Sequence, residues 1–186
     1  MQTTKEVMAG ALKAALTHKP LNRIIVNEIT CECGISRMTF YYHFTDIYDL
    51  ARWTCDKEIS RLACWPTSSG NWQKDFTALL ELFRGHEEIV RNIYRHMDDE
   101  MFHRYLQAML YRLLRPLVNE LSEGMRISEN GRDRVTSFYS YTAIGTVYDW
   151  LQHKMSLPPD RVIQEAAVLT KGVVRLSLEN MAAAEW

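Results

Sequence analysis

The chain has 186 residues, with 22 Lys and Arg against 23 Asp and Glu, and 47% of its residues are hydrophobic. That balance suits one or two compact domains with a sizeable core. A formal charge of -1 excludes a global basic field, so an anionic partner has to be met by local geometry.

No run of about 18 apolar residues is present to span a bilayer. The opening MQTTKEVMAGALKAALTHK is too amphipathic and too charged for a secretion signal. A cytoplasmic protein is therefore expected, with reduced thiols at Cys31, Cys33, Cys55 and Cys64. With 8 Gly and 5 Pro the chain has few breakers, which predicts long helices and an all-α fold of about nine of them.

Val7, Ala11, Leu12, Ala15 and Leu16 make the apolar stripe of a first helix that stops at His18-Lys19-Pro20. An extended link with Leu21, Ile24, Ile25 and Val26 follows. Residues 27–33 read as a short helix closed by Gly34, and Ser36 caps a second short helix over 37–44. After Thr45-Asp46, Ile47, Leu50, Ala51, Cys55, Ile59 and Leu62 mark a long helix to Trp65-Pro66. Residues 66–71 form the clearest loop. Trp72, Phe76, Leu79, Leu80 and Phe83 mark the next helix, ending near Gly85, and Ile89, Val90, Ile93 and Met97 another. Asp98 or Asp99 caps a long helix with a kink expected at Pro116. Residues 135–154 and 161–180 complete the chain as two helices split by Leu157-Pro158-Pro159-Asp160. The expected division is a three-helix unit over 1–46 and a larger helical bundle over 47–186.

Two short helices joined by a glycine turn and packed on a longer one make a helix-turn-helix. Ile29, Cys33, Ile35, Phe40 and Phe44 face inward by spacing. Arg37, Met38, Thr39, Tyr41, Tyr42 and His43 face outward, a surface that is costly to leave in water and suited to a major groove. Arg37 can fork onto guanine edges, Met38 and Tyr41 can touch thymine methyls, and Thr39, Tyr42 and His43 can donate to phosphates.

From Ile29 through Gly34, Ser36, Arg37-Met38-Thr39-Phe40-Tyr41-Tyr42-His43-Phe44 to Asp46 and Leu50, the sequence resembles the N-terminal motif of the tetracycline-repressor (TetR) family, a match covering residues 5–53. Residues 143–151, followed by Pro158, resemble a subgroup that contains regulators of dihydroxyacetone-kinase operons. The resemblance implies a sequence-specific transcriptional regulator that binds a near-palindromic duplex operator as a homodimer. It places Arg37, Met38 and Tyr41 near bases, Thr39, Tyr42 and His43 on phosphates, and Val26, Asn27 and Ser36 close to the DNA. One departure is Ile47, where the family usually has a phosphate-gripping lysine. With six Lys and Arg against five Asp and Glu in residues 1–55, the head is nearly neutral, and modest DNA affinity or help from a partner is expected. A helical dimeric protein-interaction module, or co-regulator with weak or no DNA binding, is the alternative.

Cys-x-Cys on a helix points its thiols about 200° apart, so Cys31 and Cys33 cannot chelate one ion together. His96, Glu100 and His103 would share a face only if one helix ran through all three, and Asp98 and Asp99 read better as caps. No metal, cofactor or enzymatic activity is expected, since Gly-x-Ser-x-Gly, His-Glu-x-x-His and Gly-rich phosphate loops do not occur. Tyr94, Met97, Met101, Tyr105, Met109 and Tyr139 read first as core. The resemblance adds the alternative that they line a pocket for a small-molecule or protein effector.

The helices over 135–154 and 161–180 are apolar around more than one face, whereas a helix at the edge of a bundle buries only one internally. A twofold four-helix interface is expected, carried by Phe138, Ala143, Val147, Trp150, Val162, Ala166, Leu169 and Val173.

Overall fold

The computed structural model describes residues 3–63, 71–96 and 99–184, with the side chains of 58–63, 99 and 101 outside that description. The expected loop at 66–71 falls outside the described residues but for Asn71. All the regular elements among the described residues are helical: α1 (Thr4–Leu16), a 3-10 turn (Leu21–Arg23), α2 (Val26–Cys33), α3 (Arg37–His43), α4 (Ile47–Ala63), α5 (Trp72–Gly85), α6 (Glu87–His96), α7 (Asp99–Leu121), α8 (Glu129–Gln152), α9 (Pro159–Thr170) and α10 (Val173–Ala183). No described helix is long and apolar enough to cross a membrane. The chain forms two compact units, Met1–Leu62 with His86–Tyr105, and Ala63–Gly85 with Leu106–Trp186.

In the first unit, α1 opens with a reciprocal cap. The Thr3 hydroxyl accepts from the Glu6 amide, and the Glu6 carboxylate accepts from the Thr3 amide, satisfying two donors that a helix start leaves unpaired. Its buried face is Met8, Ala9, Leu12 and Leu16. The expected stripe began at Val7, which is exposed; the i, i+4 series from Met8 turns the larger side chain inward and buries more apolar area. α2 begins at Val26, one residue earlier than expected, and α1 and α3 both pack on it. Ile29, Phe40 and Phe44 are buried as their spacing predicted, while Cys33 and Ile35 are half-buried. An aromatic series continues this core, with 5.9 Å from Phe40 to Phe44 and again from Phe44 to Trp53 between ring centroids. α6 packs against α1 and the 3-10 turn.

In the second unit, α9 lies along α5, whose inner face is Phe76, Leu79, Leu80 and Phe83, and α10 lies along α8. The Ser177 hydroxyl donates to the Val173 carbonyl, so the Tyr139 hydroxyl 2.8 Å away donates to Ser177 and ties α8 to α10. Arg115 on α7 ion-pairs with Glu129 and Asp133 of α8. α7 continues as helix through Pro116 to Leu121.

The single helix expected over 161–180 is two helices. The chain leaves α9 at Thr170 and re-enters helix at Val173, with Gly172 left-handed at φ 74°, a conformation open to glycine at little steric cost. This break gives ten α-helices among the described residues instead of about nine. It frees the apolar face of α9 to cover α5 while α10 covers α8. The corner before α9 is also left-handed, at Lys154 (φ 56°) and Met155 (φ 53°). It is held by the Met155 amide on the Trp150 carbonyl and the Trp150 indole on the Leu157 carbonyl, each at 2.8 Å.

Candidate nucleic-acid interface

The surface built by α2 and α3 follows from three local devices. Gly34 takes the left-handed conformation (φ 64°) that ends α2, its amide on the Cys31 carbonyl and the Ile35 amide on the Thr30 carbonyl, which satisfies carbonyls left unpaired at a helix end. Ser36 then caps α3, its hydroxyl accepting from the Thr39 amide at 3.0 Å. Phe40 is fully buried and acts as the pin of α3. With Phe40 fixed inward, the rest of this seven-residue helix is aimed by its period.

Met38 is 78% exposed and Tyr42 85%. Arg37 and Tyr41 are exposed too, and Thr39 and His43 half-exposed. The Tyr42 and His43 rings meet edge-on at 4.9 Å. Val26 is half-buried; Asn27 and Ser36 are exposed. All nine residues singled out in the sequence therefore reach solvent in the helix-turn-helix. Sequence reasoning passed over Ile25, which precedes α2, and Tyr48, in the first turn of α4, both exposed. No periodic signal separates them from Ile47, a helix-start apolar residue that is buried.

Ile47 is only 6% exposed, so it belongs to the core. The start of α4 carries two carboxylates. Asp46 accepts from the Asp49 amide at 2.7 Å, and Asp49 accepts from the amide and hydroxyl of Thr45. A helix N-terminus attracts anions when its amides are free; here it holds its own. Lys5 lies 5.2 Å above the Phe44 ring, and Lys57 pairs with Glu6 at 2.7 Å. The Lys57 ammonium, with the Thr3 amide, lowers the Glu6 carboxyl to a pKa of about 2.

Burial, then the Glu32 charge, pushes the Cys33 thiol up, away from the thiolate that reacts or ligates; Cys31 is exposed. His96 is the last described residue of α6 and Glu100 and His103 lie on α7, while residues 97 and 98 between them lie outside the described residues. Among the described residues no group of three or more His, Cys, Asp or Glu could hold a metal ion.

Of the residues considered for an effector pocket, Tyr94 and Tyr105 belong to the first unit, and Met109 and Tyr139 to the second. The Tyr94 and Phe102 rings meet at a tilt, their centroids 5.6 Å apart. The Tyr105 hydroxyl donates to the Arg52 carbonyl, and burial, with the nearby Asp56 charge, raises its phenol well above the ordinary range. Met97 and the side chain of Met101 lie outside the described residues. Of the residues expected at a dimer interface, Phe138, Leu169 and Val173 are exposed, Ala143 and Ala166 half-exposed, and Val147, Trp150 and Val162 buried within the chain. Tyr141, Val168 and Leu176 add to the exposed apolar set.

A family model for the C-terminal region of transcriptional regulators, of the TetR type, matches residues 70–172. That stretch lies beyond the motif at residues 5–53, so motif and match are separate observations. Among solved structures, the dihydroxyacetone kinase operon activator DhaS is similar with a TM-score of 0.70 at 16% identity, over 93% of this chain and 97% of that one. RolR without ligand is similar with a TM-score of 0.61 at 16% identity, over 95% of each chain. The TetR-family repressor AlkX from Dietzia sp., implicated in biodegradation of n-alkanes, has a TM-score of 0.54 at 18% identity, over 97% of each. Identities this low speak to the fold alone. No curated protein matches the chain in sequence.

Proposed function

We propose, from the premise that this chain belongs to the TetR family of transcriptional regulators, that it is a cytoplasmic, sequence-specific DNA-binding regulator acting as a homodimer on a near-palindromic operator. Residues 1–46 are the reading head and 47–186 the part that dimerises and can sense an effector. The observation that carries this reading is α3, a capped helix pinned by Phe40 that leaves Arg37, Met38, Tyr41 and Tyr42 in solvent. A purely structural helix has no use for that set, whereas a major groove offers acceptors to Arg37 and thymine methyls to Met38 and Tyr41. Thr39, Tyr42 and His43 donate to phosphates and set register. Val26, Asn27 and Ser36 sit at the adjoining helix starts.

The dimer face uses the outer stripes of α8 and α10, through Phe138, Tyr141, Val173 and Leu176. Twofold pairing places two reading helices about 34–36 Å apart, one turn of DNA, or a small multiple of it. Selection of bound duplexes from a random pool, followed by gel shift, tests the reading. A recovered inverted repeat supports it, and a pool that stays unenriched overturns it.

The second reading, a protein-docking module with little DNA affinity, is favoured by the buried Ile47 and by the two carboxylates closing the start of α4. Phosphate contacts make log affinity fall linearly with log salt, so binding insensitive to salt favours this alternative.

A further inference from the structure

The link between α1 and α2 is held by a side chain far away in sequence. Asn92 of α6 accepts from the Leu21 amide at 2.8 Å and donates to the carbonyls of Leu16, at 3.0 Å, and Lys19. Its amide orientation is unambiguous, because a backbone N–H can only donate and a backbone C=O only accept. The three groups it meets are those that local structure leaves without partners. Leu16 ends α1, where carbonyls have no intrahelical amide. Leu21 opens the 3-10 turn, where the amide has no preceding carbonyl. One asparagine therefore serves as the C-terminal cap of one element and the N-terminal cap of the next. Beside it, Lys19 pairs with Glu28 of α2 at 2.6 Å, fastening the same link to the helix-turn-helix. α6 packs on both α1 and the 3-10 turn and lies in the same compact unit as α1–α3.

We propose that Asn92 is a positioning residue for DNA reading. It touches no DNA, but it fixes where the chain leaves α1 and enters α2, and thereby the pose of α3 relative to α6. This inference rests on the functional reading above. Without the clamp, three backbone groups turn to water, the link gains alternative conformations, and each reading helix samples a range of poses. Binding to a fixed half-site spacing then weakens, because only a fraction of the molecules is competent at any moment.

The test compares the full-length wild type with Asn92→Ala and Asn92→Asp, the second keeping the acceptor for Leu21 while losing both donors. Hydrogen exchange of the Leu21 amide, read without DNA, reports the clamp itself and should rise about tenfold or more in Asn92→Ala. On the duplex selected by the wild type, both variants should bind about tenfold more weakly. They should also lose discrimination against duplexes whose half-sites are moved by one base pair, with the dimer unchanged on size exclusion. Loss of spacing discrimination is the readout that a merely stabilising residue would not move. If Asn92→Ala fails to fold, Asn92→Asp carries the comparison. Unchanged Leu21 exchange in Asn92→Ala, or spacing preference intact in either folded variant, overturns the proposal. A wild type that selects no duplex overturns the functional reading and the DNA role of Asn92 together, a result recognisable because it appears before any variant is made.

Discussion

The Arg37 guanidinium lies over the ring of Tyr41 one helical turn on, its carbon 6.0 Å from the centroid and one nitrogen 3.5 Å from the phenol oxygen. An exposed cation–ring contact of this kind contributes about 0.5–1 kcal/mol. Its larger effect is to hold a long side chain flat along α3 and so reduce the rotamer freedom lost on binding. Arg37→Ala and Tyr41→Ala are each expected to weaken binding to the selected duplex by about 1–3 kcal/mol. Tyr41→Phe, which keeps the ring, should retain most of it. Gel shift with parallel size exclusion checks this, the dimer persisting in all three.

Ile47→Lys tests the near-neutral head. Removing a buried isoleucine from the first turn of α4 costs about 1–2 kcal/mol of stability, limited because a lysine stem can lie along the core and bring its charge to the surface. One added phosphate contact should steepen the slope of log affinity against log salt by about 0.9. Titrations at several salt concentrations read that slope, and a slope equal to the wild type's would mean that the α4 start stays away from the duplex.

The Glu6–Lys57 pair makes the α1 start sensitive to acid. The Glu6 carboxyl is depressed from 4.5 to about 2, so folding favours its charged form. Its contribution is complete above about pH 4.5 and is lost as pH falls through about 2. Lys57→Met should return the carboxyl toward its ordinary value and flatten that dependence. Exchange of α1 amides between pH 5 and pH 2.5 measures it.

The two apolar sides of α8 should respond differently to substitution. Phe138→Glu on the outer side of α8, and Leu176→Glu on the neighbouring α10, place charge on the exposed apolar set and are expected to raise the dimer dissociation constant at least about tenfold while the chain stays folded. Val147 is fully buried, and Val147→Ala should cost about 2 kcal/mol of stability and leave association unchanged. Analytical ultracentrifugation and thermal melts separate the two effects.

The helix-turn-helix was legible because its signals are local. Gly34, Ser36 and Phe40 each act within one turn of the chain, and each is found in its expected role. The end of the chain was not legible in the same way. Apolar residues recur on both sides of Gly172, so periodicity alone ran α9 into α10. Only the packing of α9 on α5 shows why the chain turns there. The same limit applies to α8. Counting apolar residues disclosed two apolar faces, but Val147 and Trp150 could not be told from Phe138 and Tyr141 until neighbours were in place. Asn92 left no local signal, because its three partners lie more than 70 residues away.

The consecutive left-handed residues Lys154 and Met155 mark a place where the chain can be made sturdier without touching its working surfaces. An L-residue in that conformation costs about 1–2 kcal/mol, and Lys154 is exposed. Lys154→Gly should therefore raise stability by about 0.5–1 kcal/mol after its own entropy cost, seen as a higher melting temperature. Met155 is buried and offers no such exchange, so improvement at this hairpin bend is available at one residue and closed at its neighbour.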